Sequence, residues 1–317
     1  MRDSYIVDGH CDSLIDLVNG ERSLLDPSQG GQWDIDRAKY AGVALQFMAA
    51  FIETRYKPAL STWRGLQLLE GAHRFIEEHP EKVFLIKDRL SLKQIPDPNR
   101  IGILLSVEGG EILGEDIFML DIIFKLGVRA LGLTWNQRNA LADGIGEYDT
   151  RSKLTRLGQD VVLKMNQLGM LIDVSHLNEA GFWHVLELSK APITASHSCA
   201  KALCSHRRNL TDEQLSALAK HKGVVGVNFY PHFLRENGKA SREDVIRHIC
   251  HIAEVAGVDA VGLGSDFDGI NEAPEGLEHV GEYNRLLEDL AKTGFSTLDI
   301  KKIAGQNFMR LLSDVLK

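Results

Sequence analysis

Short apolar, β-branched runs alternate along this chain with longer stretches of helical period, and the two patterns trade places about eight times. The runs are YIV at 5–7, VALQFMA at 43–49, GILLSV at 102–107, RALGLTW at 129–135, LIDVS at 171–175, PITAS at 192–196, VVGVNFY at 224–230 and AVGLGS at 260–265. Their near-continuous hydrophobicity is the pattern of parallel strands covered on both faces. VFLI at 83–86 is shorter, and IPDPN interrupts the connection after it, so it reads as an accessory strand. Between the runs the periodicity predicts helices over 60–78, 115–126, 155–169, 178–189, 211–221, 241–256, 281–293 and 297–316. Thr211, Ser241 and Ser296 supply helix starts with acids in the first turn, and Gly127, Gly169 and Gly257 mark helix ends.

Such an alternation predicts an α/β protein with a single TIM-type (β/α)8 barrel spanning 1–317. A doubly wound open sheet is the runner-up, but it would show a glycine-rich phosphate loop early, and DGHCDS is not one. Two long loops remain, 19–33 and 136–154. The second follows a strand and is expected to overhang the active-site face.

Composition narrows the function classes. With 44% hydrophobic and 25% charged residues the chain is an ordinary globular one, and its net charge of −8 argues against a nucleic-acid partner. No apolar stretch reaches the roughly 18–20 residues that span a bilayer, so no membrane partner is expected. MRDSYIVDGHCD lacks the apolar core of a signal peptide and LLSDVLK lacks a hydrophobic tail for a lipid anchor. Cys11, Cys199, Cys204 and Cys250 form no disulfide framework and read as reduced thiols, which predicts a cytoplasmic location. A homodimer is the assembly allowed for.

Chemistry enters through the ends of the runs. The first ends on His10 and Asp12, the third on Glu108, the fifth on His176, the sixth on His197 and the eighth on Asp266. Any one of these alone reads as a satisfied core or loop residue. All six at the catalytic end of barrel strands point to one site. His10 and Asp12 are two apart in an extended segment and share a side, while His176 and His197 come from adjacent strands. Glu108 has two oxygens and can bridge. Three imidazoles with carboxylates suit zinc best, with manganese or iron as alternatives. Asp268 follows Asp266 by two residues in GSDFDG and competes with it as ligand or base; Asp266 is nearer the strand end and is favoured. Arg207 and Arg208 in SHRRNL read equally as a solvated pair or as a clamp on a substrate carboxylate. His248 and His251, three apart on a predicted helix, are read as a wet helix face, and Trp33, Trp63 and Trp183 as packing residues.

VDGHCD, SVEGGE, LIDVSH, ITASHS, RRNL and GLGSDFDG, in this order over essentially the whole chain, resemble the membrane (renal) dipeptidase family of zinc peptidases. The resemblance implies a distorted (β/α)8 barrel of the metal-dependent amidohydrolase superfamily, with two zinc ions at the strand ends. It implies one zinc on His10 and Asp12, the other on His176 and His197, and Glu108 bridging both. It assigns Asp266 as the acid–base group and Arg208 as the residue that receives the dipeptide's terminal carboxylate, and it places Tyr230 in the pocket lining. One departure stands out. The family reads Leu-Thr-His after the fourth run, where the histidine assists the substrate carbonyl, and this chain has LTWN, with Trp135 in its place. An indole N–H donates a hydrogen bond but carries no charge. Asn136 is a candidate replacement donor.

The function expected is hydrolysis of a dipeptide's peptide bond, with tolerance of a C-terminal D-residue implied by the resemblance. Two rivals stand beside it: another amidohydrolase reaction, such as deacylation of an N-acyl-D-amino acid, and a weakly catalytic zinc-dependent peptide binder, which Trp135 keeps open.

Overall fold

The computed structural model describes residues 5–317, so the first four positions of the expected 1–317 domain lie outside the described residues. Its strands are β1 (Ile6–Cys11), β2 (Val43–Phe51), β3 (Val83–Leu85), β4 (Ile101–Glu108), β5 (Val128–Gly132), β6 (Leu171–Asp173), β7 (Thr194–Ser198), β8 (Val224–Val227) and β9 (Val261–Leu263). All pair in parallel in the order β2-β1-β9-β8-β7-β6-β5-β4-β3. A further β2–β4 ladder, from Leu45↔Gly102 to Phe51↔Glu108, closes eight of them into a TIM-type (β/α)8 barrel. β3 stays outside the circle. It pairs with Ile101–Ile103 of β4, and β5 takes over the same edge from Leu105 onward. The accessory strand read from VFLI is therefore present in that role.

Helices at Ser61–Glu78, Phe118–Lys125, Arg156–Leu168, Glu179–Leu188, Asp212–Lys220, Arg242–Ala256 and Tyr283–Leu290 cover the strands close to their predicted spans. Thr211 and Ser296 close capping boxes with Gln214 and Asp299. The last expected helix is divided into Thr297–Lys301, a π-helical turn at Lys302–Gln306 and Asn307–Val315. Leu14–Asn19, Ile35–Ala41, Arg89–Leu92 and Pro231–Leu234 are helices too short to show a period in the sequence.

That final helix plugs the bottom of the barrel. Phe308, Leu311 and Leu312 pack among Val7, Leu45, Phe47, Leu104 and Val224 of the strands, all buried. A Cβ on Gly9 or Gly262 would stand 2.7 or 2.5 Å from the Phe308 ring, so only glycine at those strand positions admits it. Full burial of such a ring contributes roughly 1.5–3 kcal/mol. Above the plug the interior turns polar. Asp8 accepts from Ser265 N (2.9 Å) and Oγ (2.6 Å), and Asp173 accepts from Ser175 N (2.9 Å) and Ser196 N (3.0 Å). These buried carboxylates tie β1 to β9 and β6 to β7 just below the strand ends.

His248 corrects the reading of a wet helix face: it is fully buried. Its Nδ1 accepts from Ala200 N at 3.1 Å, so Nε2–H donates to Leu234 O at 3.1 Å. The helix thereby holds the loop that leaves β7. His251 is partly exposed and pairs with Asp212 at 2.8 Å. Trp33 is packed in the core as expected, whereas Trp63 is 53% exposed. Burial lowers the His248 pKa from 6.5 to about 4. The unfolded chain therefore takes up this proton first as pH falls, and stability is lost from pH 6.5 down to about 4. His248→Leu is expected to flatten that pH dependence by up to about 1.4 kcal/mol per pH unit and to cost about 1–3 kcal/mol at pH 7, read by urea unfolding across the pH series.

Candidate active site

Each residue expected to hold metal or move a proton emerges at the upper rim. His10 and His197 lie within β1 and β7, Glu108 ends β4, Asp12 follows β1, and His176 and Asp266 stand three residues past β6 and β9. Ladder register slips between Asp8 and Cys11 on β1, and between Ala195 and Ser198 on β7, at the turns of backbone that carry His10 and His197. Such irregularities re-aim side chains. His176 and Asp266 both have φ of +66°, a left-handed conformation that costs a non-glycine residue about 1–3 kcal/mol and folds the chain sharply inward. Hydrogen bonds hold it there: His176 O accepts from Ile145 N at 2.8 Å, and Asp266 N donates to His10 O at 3.2 Å.

The six side chains meet. Glu108 Oε1 lies 2.8 Å from His176 Nε2 and 3.4 Å from His197 Nε2, while Oε2 lies 3.7 Å from His10 Nε2. His10 Nε2 is 3.4 Å from Asp12 and 3.8 Å from Asp266. The two remaining imidazole nitrogens, of His176 and His197, are 2.9 Å apart, and the His10 and His197 ring centroids only 3.9 Å. Each ring is aimed from behind: His176 Nδ1 meets Asn136 Oδ1 at 2.7 Å and His197 Nδ1 meets Ser196 Oγ at 2.8 Å, leaving both Nε2 atoms for the cluster.

Electrostatics show what the cluster lacks. Burial pushes Asp12 up to about 7 and Asp266 up to about 6, with the neighbouring Glu108 charge adding to both and His10 opposing. Burial works the same way on Glu108, but the His10 and His176 charges outweigh it and hold its carboxyl well below the usual range. His10 shows the converse, since Asp12 and Glu108 overcome its burial and raise it well above 6.5. Three buried carboxylates thus crowd against the same imidazoles. Among the described residues His10 Nε2 and Asp12 Oδ1 have no hydrogen-bond partner. The ligand atoms fall into compact sets, Glu108–His176–His197 and His10–Asp12–Asp266, each within 4.8 Å. This donor set fits divalent cations of the zinc type, and the two Glu108 oxygens face the two sets separately.

A cavity of about 320 Å3 opens over the cluster, lined among others by Asp12, Glu108, His176, Asp266, Trp135 and Tyr230. Tyr230 lies past the end of β8, edge-on to Phe233 at 4.9 Å. Trp135 sits 5.2 Å from Phe51 and 6.0 Å from His176, ring centre to ring centre. Asn136 serves His176 as described. The loop 136–154 does overhang the rim, packed so closely on its own start that a Cβ on Gly144 would stand 2.0 Å from Trp135 O. Arg208 lies behind the two histidines, lining a smaller adjoining cavity with His176. It is buried, donating from Nη2 to His197 O (3.1 Å) and from Nη1 to Ser198 Oγ (3.4 Å), with Nε unpartnered. Among the described residues no carboxylate lies within ion-pair distance of it.

Asp268, the rival of Asp266, is occupied elsewhere. It accepts from Ser13 Oγ (2.5 Å), Gln32 N (2.6 Å) and the Arg22 guanidinium. Arg22, which also binds Asp16 (2.6 Å) and Trp33 O (2.8 Å), was not legible in the sequence, because its partner Asp268 lies far along the chain. Asp266 instead has Oδ2 held by Asn228 Nδ2 at 2.8 Å and Oδ1 turned to His10.

The sequence profile of the membrane dipeptidase family, peptidase family M19, matches residues 1–317. The chain belongs to the membrane dipeptidase family. Family M19 dipeptidases are metallopeptidases, hydrolases acting on peptide bonds, and that is the enzyme class of this chain. It is 33% identical over 302 residues to the dipeptidase aclJ of Aspergillus oryzae, covering 90% of this chain and 70% of that protein. Among solved structures it is similar to the M19 metallopeptidase called dipeptidase AC, at TM-score 0.93, 29% identity and 99% coverage of both chains. A metallopeptidase from Rhodobacter sphaeroides, liganded with a phosphinate mimic of L-Ala-D-Ala, aligns at TM-score 0.92 and 29% identity over 99% of this chain and 100% of that one.

Glu108→Gln keeps the shape of the central M19 carboxylate and removes its charge. Metal retained after dialysis, measured by elemental analysis, is expected to fall by more than the roughly 10–100-fold typical of an outer-shell partner, with the far-ultraviolet dichroism unchanged.

Proposed function

We propose that this M19 enzyme is a two-zinc dipeptidase that accepts a D-residue at the C-terminal position. The observation that carries the proposal is the convergence of His10, Asp12, Glu108, His176 and His197 with Asp266 in one buried cluster under one small pocket. His10 and Asp12 would hold one ion, His176 and His197 the other, with Glu108 reaching both. Bound zinc supplies a Lewis acid and lowers the pKa of a water towards ~7. Asp266 is suited to take a proton at Oδ1 and return it to the leaving amine. Asn228 fixes its other oxygen, which leaves Oδ1 turned towards the cluster to exchange the proton.

Arg208 supplies the selectivity for a free terminus. A buried guanidinium with no carboxylate partner is a costly arrangement unless an anion completes it. The substrate's carboxylate is that anion, and its capture behind His176 limits substrate length. Trp135 and Tyr230 wall the remaining space, about 320 Å3, which suits a dipeptide rather than a longer chain. Tolerance of a D-residue is supported by the ligand of the Rhodobacter sphaeroides structure. A cytoplasmic setting is supported by four free cysteines, three of them buried. Among the described residues no helix is long and apolar enough to cross a membrane.

Asp266→Asn is expected to lower kcat about 10²–10⁴-fold with metal content unchanged; full activity in this variant would remove Asp266 from the reaction. Arg208→Met is expected to raise KM for dipeptides by roughly 10–100-fold and to leave dipeptide amides at the wild-type level of (poor) turnover. A panel of L-L dipeptides, L-D dipeptides and N-acyl-D-amino acids tests the assignment as a whole, and preference for the acyl compounds would overturn it.

A further inference from the structure

A second cavity, of about 520 Å3, opens beside the dipeptide pocket of about 320 Å3. The end of β2 with its following loop, and the loop after β5, contribute walls to both. Phe51 and Trp135 face the dipeptide pocket, whereas Lys57, Glu111 and Gln137 face its neighbour. Lys57 stands directly behind the aromatic pair, with Nζ 5.1 Å from the Trp135 ring centre and 5.6 Å from that of Phe51. It is 3.1 Å from Glu111 Oε1, and the two side chains are only 8% and 6% exposed. The Trp135 indole thus stands between the residues named for the two cavities, its ring centre 5.1 Å from the Lys57 cation and 6.0 Å from the centre of the His176 ring.

What holds that indole is specific. Its backbone is fixed, since Gly146 N donates to Asn136 O at 2.7 Å and Gly144 lies against Trp135 O. Its ring makes no hydrogen bond among the described residues and rests on Phe51, His176 and the Lys57 cation. A cation over an indole face is attracted by the ring, the more strongly the less water reaches the pair. The Lys57–Glu111 pair is itself poorly satisfied, with no further hydrogen bond to Nζ or to either Glu111 oxygen. Such a buried pair adds little to stability compared with an apolar substitute of the same volume. Its position against the partition gives it another use.

We propose that Trp135 is a specificity-determining partition, positioned by the Lys57–Glu111 pair, that confines substrate side chains to the smaller pocket and shuts them out of the polar cavity behind. The substrate half of this statement rests on the dipeptidase reading above. With the indole in place, a side chain lying against Phe51 and Trp135 meets an apolar wall, which favours short apolar residues. Without it the two cavities join. A long polar side chain, of glutamine or lysine length, then reaches the donors and acceptors of Lys57, Glu111 and Gln137.

The test has two arms. In the first, kcat/KM is measured on dipeptides differing only in one side chain, alanine against glutamine or lysine. Trp135→Ala is expected to shift the ratio at least about tenfold towards the long polar side chains, and Trp135→Phe, which keeps a wall, to retain the wild-type ratio. A uniform loss on every substrate in Trp135→Ala would overturn the proposal. In the second arm, the emission of Trp135 is isolated as the difference between the protein and its Trp135→Phe variant, and its quenching by acrylamide is measured. Lys57→Met, and the double variant Lys57→Met/Glu111→Gln that leaves no orphan charge, are expected to raise the quenching constant. An unchanged constant in both would overturn the positioning role. This arm requires no turnover, so a wild type inert towards dipeptides would sink the dipeptidase reading while the partition is still decided by fluorescence.

Discussion

Burying a carboxylate at the centre of a barrel mouth is unfavourable by several kcal/mol unless positive charge surrounds it, and Glu108 imposes that requirement on everything near it. Its two oxygens face different partners, His176 and His197 on one side and His10 on the other. Those imidazoles come from β1, β7 and the exit of β6, so satisfying one carboxylate requires the whole circle of strands to be closed. Closure in turn rests on the ladder that sets Phe51 of β2 against Glu108 itself. The residue that most needs the site is thus also placed by the contact that completes the barrel.

Below the cluster, the same logic continues in a layer where each buried acid is answered by neutral donors. Asp8 and Asp173 are satisfied by serine hydroxyls and backbone amides, which adds rigidity beneath the site. The strained residues lie above them. His176 and Asp266 adopt left-handed backbone angles that their local sequence does not favour, and they persist because loop 136–154 and β1 bond to them. Rigid support beneath and imposed curvature above are what bring side chains from separate strands to within 4 Å of one another.

Much of this was legible in the sequence because it is written in local terms. Near-continuous apolar runs identify buried parallel strands, and a His or acid at the end of five of the eight runs marks the rim, since both patterns need only neighbouring residues. VFLI was separable as an accessory strand for the same reason. What escaped depends on distant partners. The register slips at His10 and His197 have no sequence signal. Arg22 reads as a loop cation until Asp268 is brought to it, and that pairing is what distinguishes Asp268 from Asp266. His248 was misread because its helix is amphipathic on average, and a single polar residue on the inner face is revealed only by Ala200 and Leu234. Lys57 and Glu111 met only through the fold.

The pairing of the first strand with the last has a bearing on biosynthesis. Asp8 lies against Leu263, and Asp12 N donates to Phe267 O at 2.9 Å. His10 precedes its companion Asp266 and the plugging Phe308 by most of the barrel's strands and helices. During synthesis His10 consequently waits for a companion that lies beyond seven further strands of the barrel. The cluster can therefore form only once β9 and the helix Asn307–Val315 have been added and the barrel has closed.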